Sequence, residues 1–312
     1  MRLPRLHLSR APALRRQVAE PRALLVGWFS LPFGGATAGD LAVLDVVRSW
    51  LDDAGYPYDV ALGEPFAGGV NWRSASPSDY SHVVHVCGPV SPDLEVAHIL
   101  DRFSECRLVA VNVSLVLEPD DWNPFTDLLE RDGGRTRRAD LAFTGDGSLV
   151  PLVGIVLVHP QMEYPNGSHA RANSLVREFL HGRDVCAVPV DTRLDANPDG
   201  GLGSALQVES LLARMDVVLS TRLHGLVFAL RNGVPVVAID PIPGGAKVTA
   251  QAESVGWPAV VSADSLDTDR LGDLYAWCLT HEARSVARDC AARGRAGADR
   301  IRYELLGALR RP

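Results

Sequence analysis

The chain has 312 residues, of which 46% are hydrophobic and 22% are charged, and its net charge at pH 7 is -7. This length suits two domains of about 150 residues each, and the negative charge argues against wholesale nucleic-acid binding, which needs a basic surface. No apolar run approaches the ~18 residues of a membrane-spanning helix, so we expect no membrane span.

An arginine-rich arm, residues 1–22, opens the chain and lacks the uninterrupted apolar segment of a signal peptide. We therefore expect a cytoplasmic protein. The five cysteines are far apart and never spaced as CxxC, so neither a disulfide framework nor a zinc ribbon is predicted.

Short apolar runs alternate with longer amphipathic segments from residue 23 onwards, which is the pattern of an α/β chain. In the first half this pattern predicts helices near 39–54 and 93–105, and strands near 23–29, 58–62, 82–87, 108–113 and 140–144. In the second half it predicts strands near 153–159, 184–190, 216–220, 234–240 and 259–262. Helices are predicted there near 169–181, 204–214, 223–232, 246–255, 265–280 and 282–308.

Both halves are β-α-β successions whose strands are apolar enough to be buried on both faces. Turn residues in "GDGSLVP" place a domain boundary near 148–152. We therefore predict an α/β protein with two Rossmann-like domains, 23–150 and 151–312, facing each other across a cleft. The last helix is expected to pack back on the N-terminal domain.

Two cationic side chains interrupt the apolar stretch "DVVLSTRLHGLVFALRNG", where a predicted strand gives way to a predicted helix. The connecting residues are Ser220, Thr221, Arg222, Leu223 and His224. A helix N-terminus favours an anion, a guanidinium can add a two-pronged contact, and histidine adds a proton donor that titrates near neutrality. An inter-domain salt bridge and a satisfied buried histidine are the structural alternatives, but the pair at a strand's carboxyl end favours a ligand site.

Lys247 is the only lysine in a chain that has thirty arginines. A retained ammonium indicates a specific use, since arginine serves elsewhere as the generic cation, although chance survival on the surface is the alternative. The residue follows the loop "DPIPGG" at the next strand's carboxyl end and starts a helix, where a cation does not stabilise the dipole. We expect it to reach the anion site of Arg222.

The loop "LPFGGATAGD", between the first strand and the first helix, is a weaker candidate. Gly34, Gly35 and Gly39 permit a close backbone approach to a ligand, and Asp40 suits a helix cap, so a simple strand-to-helix turn explains part of the pattern. His159 ends the first strand of the second half and is expected either to face the cleft or to be a turn residue. No metal-ligand spacing, nucleophile elbow or Walker loop occurs in the sequence.

The stretch "STRLHGLVFALRNGVPVVAIDP", with a lysine beyond it, is similar to the signature of the polysaccharide pyruvyl transferase family. That signature is an S-x-R-x-H turn, a helix, G-x-P, a strand and a Lys. "GGATAGDLAVLDVVRSWL" resembles the family's first loop, and "LLERDGGRTRRADLAF" looks like a shortened form of its A-R-D-S…D-P-A-F segment. The likeness spans roughly residues 23–265 and is strongest over 216–256.

The resemblance implies a GT-B-like fold and transfer of the pyruvyl unit of phosphoenolpyruvate to hydroxyls of a saccharide or sugar-containing metabolite, without a cofactor. It implies that Arg222 and Leu223 hold phosphoenolpyruvate and that His224 is the general acid, with Arg131 as a second anion ligand. The C-terminal domain would then hold the donor and the N-terminal domain the acceptor. Lys247, Ser220 and Thr221 complete the predicted anion site.

The chain departs from the family pattern at Thr37, at Gly88, where many members have three glycines, and at Gly133, which replaces serine. These departures put the acceptor in doubt. The candidates for acceptor contacts are Gly35, Thr37, Gly39, Asp40, Gly88 and His159. Two other functions stay open, a nucleotide-sugar glycosyltransferase and a sugar- or anion-binding relative without activity.

Overall fold

The computed structural model describes residues 21–132, 137–145, 147–158, 166–194 and 201–310. Most of the N-terminal arm, residues 1–20, therefore lies outside the described residues. Within the described part, no helix combines the length and the apolar character that crossing a membrane requires.

The chain divides into two compact units, Met1–Gly147 and Ser148–Pro312. In each unit the strands pair in parallel, and most of them are joined through helices. Parallel strands need such crossovers because each connection must return to the same end of the sheet. The prediction of two Rossmann-like α/β domains is confirmed.

Six strands and two α-helices make up the described part of the first unit. They are β1 (Ala23–Val26), α1 (Ala38–Asp53), β2 (Tyr58–Val60), β3 (His82–Val86), β4 (Pro89–Val90), α2 (Val96–Arg102), β5 (Arg107–Leu115) and β6 (Asp127–Glu130). The strand order is β2-β1-β3-β5-β4, and β6 also pairs with β5. Leu24 and Val26 pack on one face of this sheet and Leu25 on the other, as the two-residue period of a strand requires.

The predicted strand over 140–144 is wrong, because Leu141–Thr144 form a 3₁₀ helix. The Asp140 side chain accepts a hydrogen bond from the Ala142 N–H at 2.9 Å, and local bonds of this kind compete with strand pairing. The apolar pattern also fails to predict β4 and β6. The first has only two residues, and the second carries an acidic residue at each end.

Five strands and six α-helices make up the described part of the second unit. They are β7 (Leu152–Val156), α3 (His169–Leu180), β8 (Cys186–Pro189), α4 (Ala205–Leu212), β9 (Val217–Ser220), α5 (Leu223–Arg231), β10 (Val236–Asp240), α6 (Lys247–Val255), β11 (Val260–Ser262), α7 (Thr268–Cys278) and α8 (His281–Leu309). The parallel strands have the order β11-β10-β9-β7-β8. Each helix and strand predicted for this half is present, with its ends shifted by a few residues.

The central strands of the second sheet are buried on both faces. Every residue of β9 and β10 is buried, which is typical of a parallel sheet covered by helices. The carboxyl ends of β7, β9 and β10 lie side by side. Ligands of open α/β sheets bind at this edge, so the fold places the residues that follow these three strands together.

Helix α8 packs against α5, α6 and α7 within the second unit. Its first half contributes the buried residues Ala283, Ala287 and Cys290, whereas residues 292–306 are exposed. The expected packing of this helix on the N-terminal domain stays a prediction.

Candidate functional site

The turn between β9 and α5 is held in shape by Ser220. Its fully buried hydroxyl donates to the Arg222 carbonyl oxygen at 2.8 Å and accepts from the Arg222 N–H at 3.1 Å. Both bonds close on the residue that caps α5, whose backbone is extended with φ -122° and ψ 136°. Ser220 therefore holds the turn in shape, and its predicted contact with an anion stays a prediction.

Thr221 ties the ends of two strands and a helix together. Its hydroxyl oxygen accepts from the Val158 N–H at 2.8 Å and donates to the Asn173 side-chain oxygen at 3.2 Å. The Asn173 amide in turn donates to the Val158 carbonyl oxygen at 2.9 Å. This closed network joins the segments that follow β7 and β9 to α3, so the hydroxyl of Thr221 is engaged within the protein.

A cavity of about 200 Å³ opens at this edge of the second sheet. Its polar lining comes from four of the predicted residues, Thr221, Arg222, His224 and Lys247, together with Asp240. Leu223 lies in the same lining. The structure thus brings together residues from two successive strand-to-helix connections, as the sequence predicts for Arg222 and Lys247.

Arg222 brings a guanidinium whose hydrogen-bonding capacity is not used up. The side chain is half-buried, and its Nε has no hydrogen-bond partner among the described residues. Burial lowers the pKa of this guanidinium, the Asp191 carboxylate opposes that shift, and the Arg193 charge adds to it. An arginine so placed remains charged and gains from an anionic ligand, since an unpartnered buried donor is costly.

The start of α5 offers two more donors to the cavity. Among the described residues, the N–H groups of Leu223 and His224 have no hydrogen-bond partner, as expected for the first turn of a helix. The positive end of the helix dipole lies at the same place. The exposed His224 ring lies beside Phe228, one turn along the helix, with ring centroids 6.1 Å apart and planes inclined by 33°.

Lys247 is the first residue of α6 and is half-buried in the cavity lining. A positive side chain at the start of a helix opposes the dipole, so helix stability does not explain the lysine. Asp240, at the end of β10, lines the cavity beside it. Asp240 is not among the site residues predicted from the sequence, although a lone carboxylate at the end of the apolar run "VPVVAID" was the signal that could have identified it.

Arg131 lies in the first unit and is engaged with its own neighbours. Its guanidinium donates to the Asp140 carboxylate at 2.6 Å, to the Ser114 hydroxyl at 3.0 Å and to the Asp132 carboxylate at 3.2 Å. Arg131 does not line the cavity described above. Its predicted role as a second anion ligand stays a prediction, and in the described residues it holds Asp140 in place.

Thr37 and Asp40 form a reciprocal cap at the start of α1. The Asp40 carboxylate accepts from the Thr37 N–H at 2.7 Å, and the Thr37 hydroxyl oxygen accepts from the Asp40 N–H at 3.4 Å. A capping box of this kind needs no ligand. Gly39 lies in the first turn of the same helix, and Gly35, with a φ of +83°, has open space where a Cβ would be.

Gly88 is a glycine for a local steric reason. Its φ is +75°, and a Cβ there would lie 2.3 Å from Cδ1 of Trp28. Trp28 also donates from Nε1 to the Pro89 carbonyl oxygen at 3.2 Å.

His159 and Gly133 lie outside the described residues. In the described part of the chain, no group of three or more His, Cys, Asp or Glu side chains could hold a metal ion.

One segment of the second unit matches a known protein family. Residues 167–242 match the family model for polysaccharide pyruvyl transferase. The predicted family resemblance is confirmed for this segment. The pyruvyl transferase segment includes Arg222, Leu223, His224 and Asp240, but it ends before Lys247. The match supports a transferase-type site in the second unit.

Several solved glycosyltransferase structures share low overall similarity with the chain. Spinosyn rhamnosyltransferase SpnG, complexed with thymidine diphosphate, matches with a TM-score of 0.33 and 12% identity over 88% of this chain and 96% of that chain. MurG of Acinetobacter baumannii matches with 0.31 and 11% over 89% and 95%. SnogD from Streptomyces nogalater matches with 0.32 and 13% over 91% and 99%. TM-scores this low support no functional inference. No curated protein matches the chain.

Proposed function

We propose that this chain is a pyruvyl transferase that moves the pyruvyl unit of phosphoenolpyruvate onto hydroxyl groups of a saccharide. The observation that carries the proposal is the cavity lined by Arg222, His224 and Lys247, because the first two belong to the pyruvyl transferase segment. The cavity combines positively charged groups that can bind an anion with a side chain that can donate a proton, and the reaction of an enol phosphate requires both.

The donor would bind through its two anionic ends. The Arg222 guanidinium can make a two-pronged contact with a carboxylate or phosphate, and the N–H groups of Leu223 and His224 suit the other anionic group at the helix N-terminus. Lys247 supplies a second positive charge from the neighbouring helix. These groups would also stabilise the negative charge that the departing phosphate gains as its bond breaks.

His224 would act as the general acid and give its proton to the methylene carbon of phosphoenolpyruvate. The electrons of the C=C bond form the new C–H bond and leave an oxocarbenium-like carbon, which a saccharide hydroxyl oxygen attacks. The C–O bond to phosphate then breaks, phosphate leaves with the electron pair, and a second hydroxyl closes the ketal. Of the two protons lost by the hydroxyls, one returns to His224 and the other leaves on phosphate.

The size of the cavity supports a small donor. At about 200 Å³ it lies below the ~300–1,000 Å³ of sites that enclose drug-sized ligands. A three-carbon enol phosphate suits this volume better than a nucleotide sugar.

The test is incubation of the full-length protein with ¹³C-labelled phosphoenolpyruvate and a panel of saccharides. Phosphate release is followed by ³¹P NMR and products by mass spectrometry. We expect phosphate release that depends on an added saccharide, with the three labelled carbons appearing in that saccharide. Donor binding without phosphate release or labelled product would contradict the proposal, as would thermal stabilisation by nucleoside diphosphates but not by phosphoenolpyruvate.

A further inference from the structure

Asp240 ends β10, is fully buried, and accepts five hydrogen bonds from the segment that follows it. Oδ1 accepts from the Ile242 N–H at 3.1 Å. Oδ2 accepts from the N–H groups of Ala246, Val248 and Thr249 at 2.7, 3.1 and 2.9 Å, and from the Thr249 hydroxyl at 3.1 Å. One carboxylate therefore organises the whole connection from β10 to α6.

Three of these donors flank the first residue of α6, Lys247. The first N–H groups of a helix have no partner within it, and a carboxylate is favoured at this end by the dipole. Asp240 thus acts as a cap supplied from the preceding strand. The start of α6 is already compensated by this carboxylate, so the start of α5 is the helix end that offers unpartnered N–H groups to the cavity.

The loop between Asp240 and α6 folds back tightly over the carboxylate. Gly244 and Gly245 have φ values of +76° and +85°, a left-handed conformation that favours glycine. A Cβ at Gly245 would lie 2.7 Å from the Thr249 hydroxyl oxygen, the same hydroxyl that donates to Asp240. The loop path is therefore specified by the cap, and this path places Lys247 on the cavity beside Arg222.

The surroundings of Asp240 decide whether its carboxylate prevents an anion from binding in the cavity. Asp240 lines the cavity, where an uncompensated carboxylate would repel an anion. Five donors and the positive end of α6 face its two oxygens. The adjacent Lys247 then brings a positive charge to the same lining, so the cavity can attract an anion despite the acid in its wall.

We propose that Asp240 is a positioning residue that holds the Lys247 ammonium at the cavity and leaves the start of α5 as its anion-binding helix end. This inference rests on the proposed function for the identity of the anion, phosphoenolpyruvate. The placement of Lys247 by Asp240 is independent of which anion binds.

The single lysine of the chain allows a direct test. Reductive ¹³C-methylation keeps the positive charge of the ammonium and gives one lysine signal, that of Lys247, besides the signal of the N-terminal amine. We expect a dispersed Lys247 resonance in the wild-type protein. In Asp240→Asn, which exchanges one acceptor oxygen for a donor, the resonance should move to the position of methylated lysine in an unstructured peptide. Asp273→Asn, an exposed acid of α7, is the matched control and should leave it unchanged.

A milder pair of variants covers the case in which Asp240→Asn does not fold. Thr249→Val removes one of the five donors and should shift the Lys247 resonance part of the way, whereas Thr249→Ser keeps the hydroxyl and should restore the wild-type position. Thermal unfolding confirms that each variant is folded. An unmoved resonance in folded Thr249→Val and, where it folds, in Asp240→Asn would overturn the inference.

Titration calorimetry with phosphoenolpyruvate then tests the functional consequence, using unmethylated protein. Lys247→Ala should weaken donor binding about tenfold, Asp240→Asn by a similar factor, and the double variant by no more than Lys247→Ala alone. Losses that multiply in the double variant would show that Asp240 does not act through Lys247. A Lys247 resonance that moves in the Asp240→Asn variant, but that does not respond to phosphoenolpyruvate in the wild-type protein, would contradict the proposed function while supporting the placement of Lys247 by Asp240.

Discussion

At the scale of single residues, the site depends on where the chain places two cationic side chains. Arg222 is the capping residue of α5 and has an extended backbone, whereas His224 is already helical. Their side chains therefore leave the backbone in different directions while lining one cavity. The pairing of these residue types with a strand-to-helix turn is predictable from sequence. The bracing of the turn by Ser220 is not, because it depends on buried hydrogen bonds.

His224→Ala should separate chemistry from binding. We expect turnover to fall by about 10²–10⁴-fold, the usual contribution of a general acid, while the Kd for phosphoenolpyruvate changes little. Steady-state kinetics and calorimetry on the same preparation give both quantities. His98→Ala, an exposed histidine of α2, is the matched control and should behave as wild type. A His224→Ala variant with wild-type turnover would rule out the assigned role.

His85 makes a separate prediction about stability and pH. The side chain is fully buried beside Phe125, with neither ring nitrogen hydrogen-bonded among the described residues, and burial lowers its pKa from 6.5 to about 4. As the pH falls, the unfolded chain takes up the proton on this histidine before the folded protein does. The free energy of unfolding is therefore unaffected by His85 above pH 6.5 and decreases as the pH falls from 6.5 towards 4. The loss amounts to about 3 kcal/mol.

Denaturant unfolding of wild type and His85→Leu at pH 7 and pH 4 measures this effect. The leucine variant has no titratable side chain at position 85. The free energy of unfolding of the wild type should therefore fall by about 3 kcal/mol more between pH 7 and pH 4 than that of the variant. Equal losses would show that His85 is protonated as easily in the folded state as in the unfolded chain.

At the scale of elements, the second unit depends on a close approach of α5 to the sheet. Gly225 allows it, because a Cβ there would lie 2.2 Å from the Ser220 hydroxyl oxygen and 2.9 Å from Val156 Cβ. Apolar runs and helical periodicity predict the elements of the second unit well. The same patterns fail at 140–144, where Asp140 bonds locally, and they cannot reveal that Asp240 binds across the next connection.

Gly225→Ala should therefore destabilise the protein by about 1–3 kcal/mol, the usual cost of overpacking, and should weaken donor binding because α5 must shift. Gly297→Ala is the matched control. It lies inside α8 with open space around its Cβ position, so it should raise stability by up to about 1 kcal/mol. Denaturant unfolding of the two variants measures the contrast, and a Gly225→Ala protein as stable as wild type would contradict the tight packing.

At the scale of the whole molecule, the candidate site residues are distributed unequally between the two α/β units. The residues gathered at the cavity all belong to the second unit, where the family match also lies. In the first unit, the predicted acceptor candidates Thr37, Asp40 and Gly88 have structural explanations of their own. A cavity lined by positive groups could be predicted from sequence, because binding an anion demands particular residue types. The acceptor could not, because neutral hydroxyls are bound by many side-chain combinations.

The most direct measurement is titration calorimetry of phosphoenolpyruvate into the wild-type protein and into Arg222→Ala. We expect one binding site per chain in the wild type and a Kd at least about tenfold higher in the variant, because a charge-assisted contact to the anion is lost. Arg177→Ala, an exposed arginine of α3, should bind as the wild type does. Equal affinities in wild type and Arg222→Ala would contradict the claim that this cavity holds the donor.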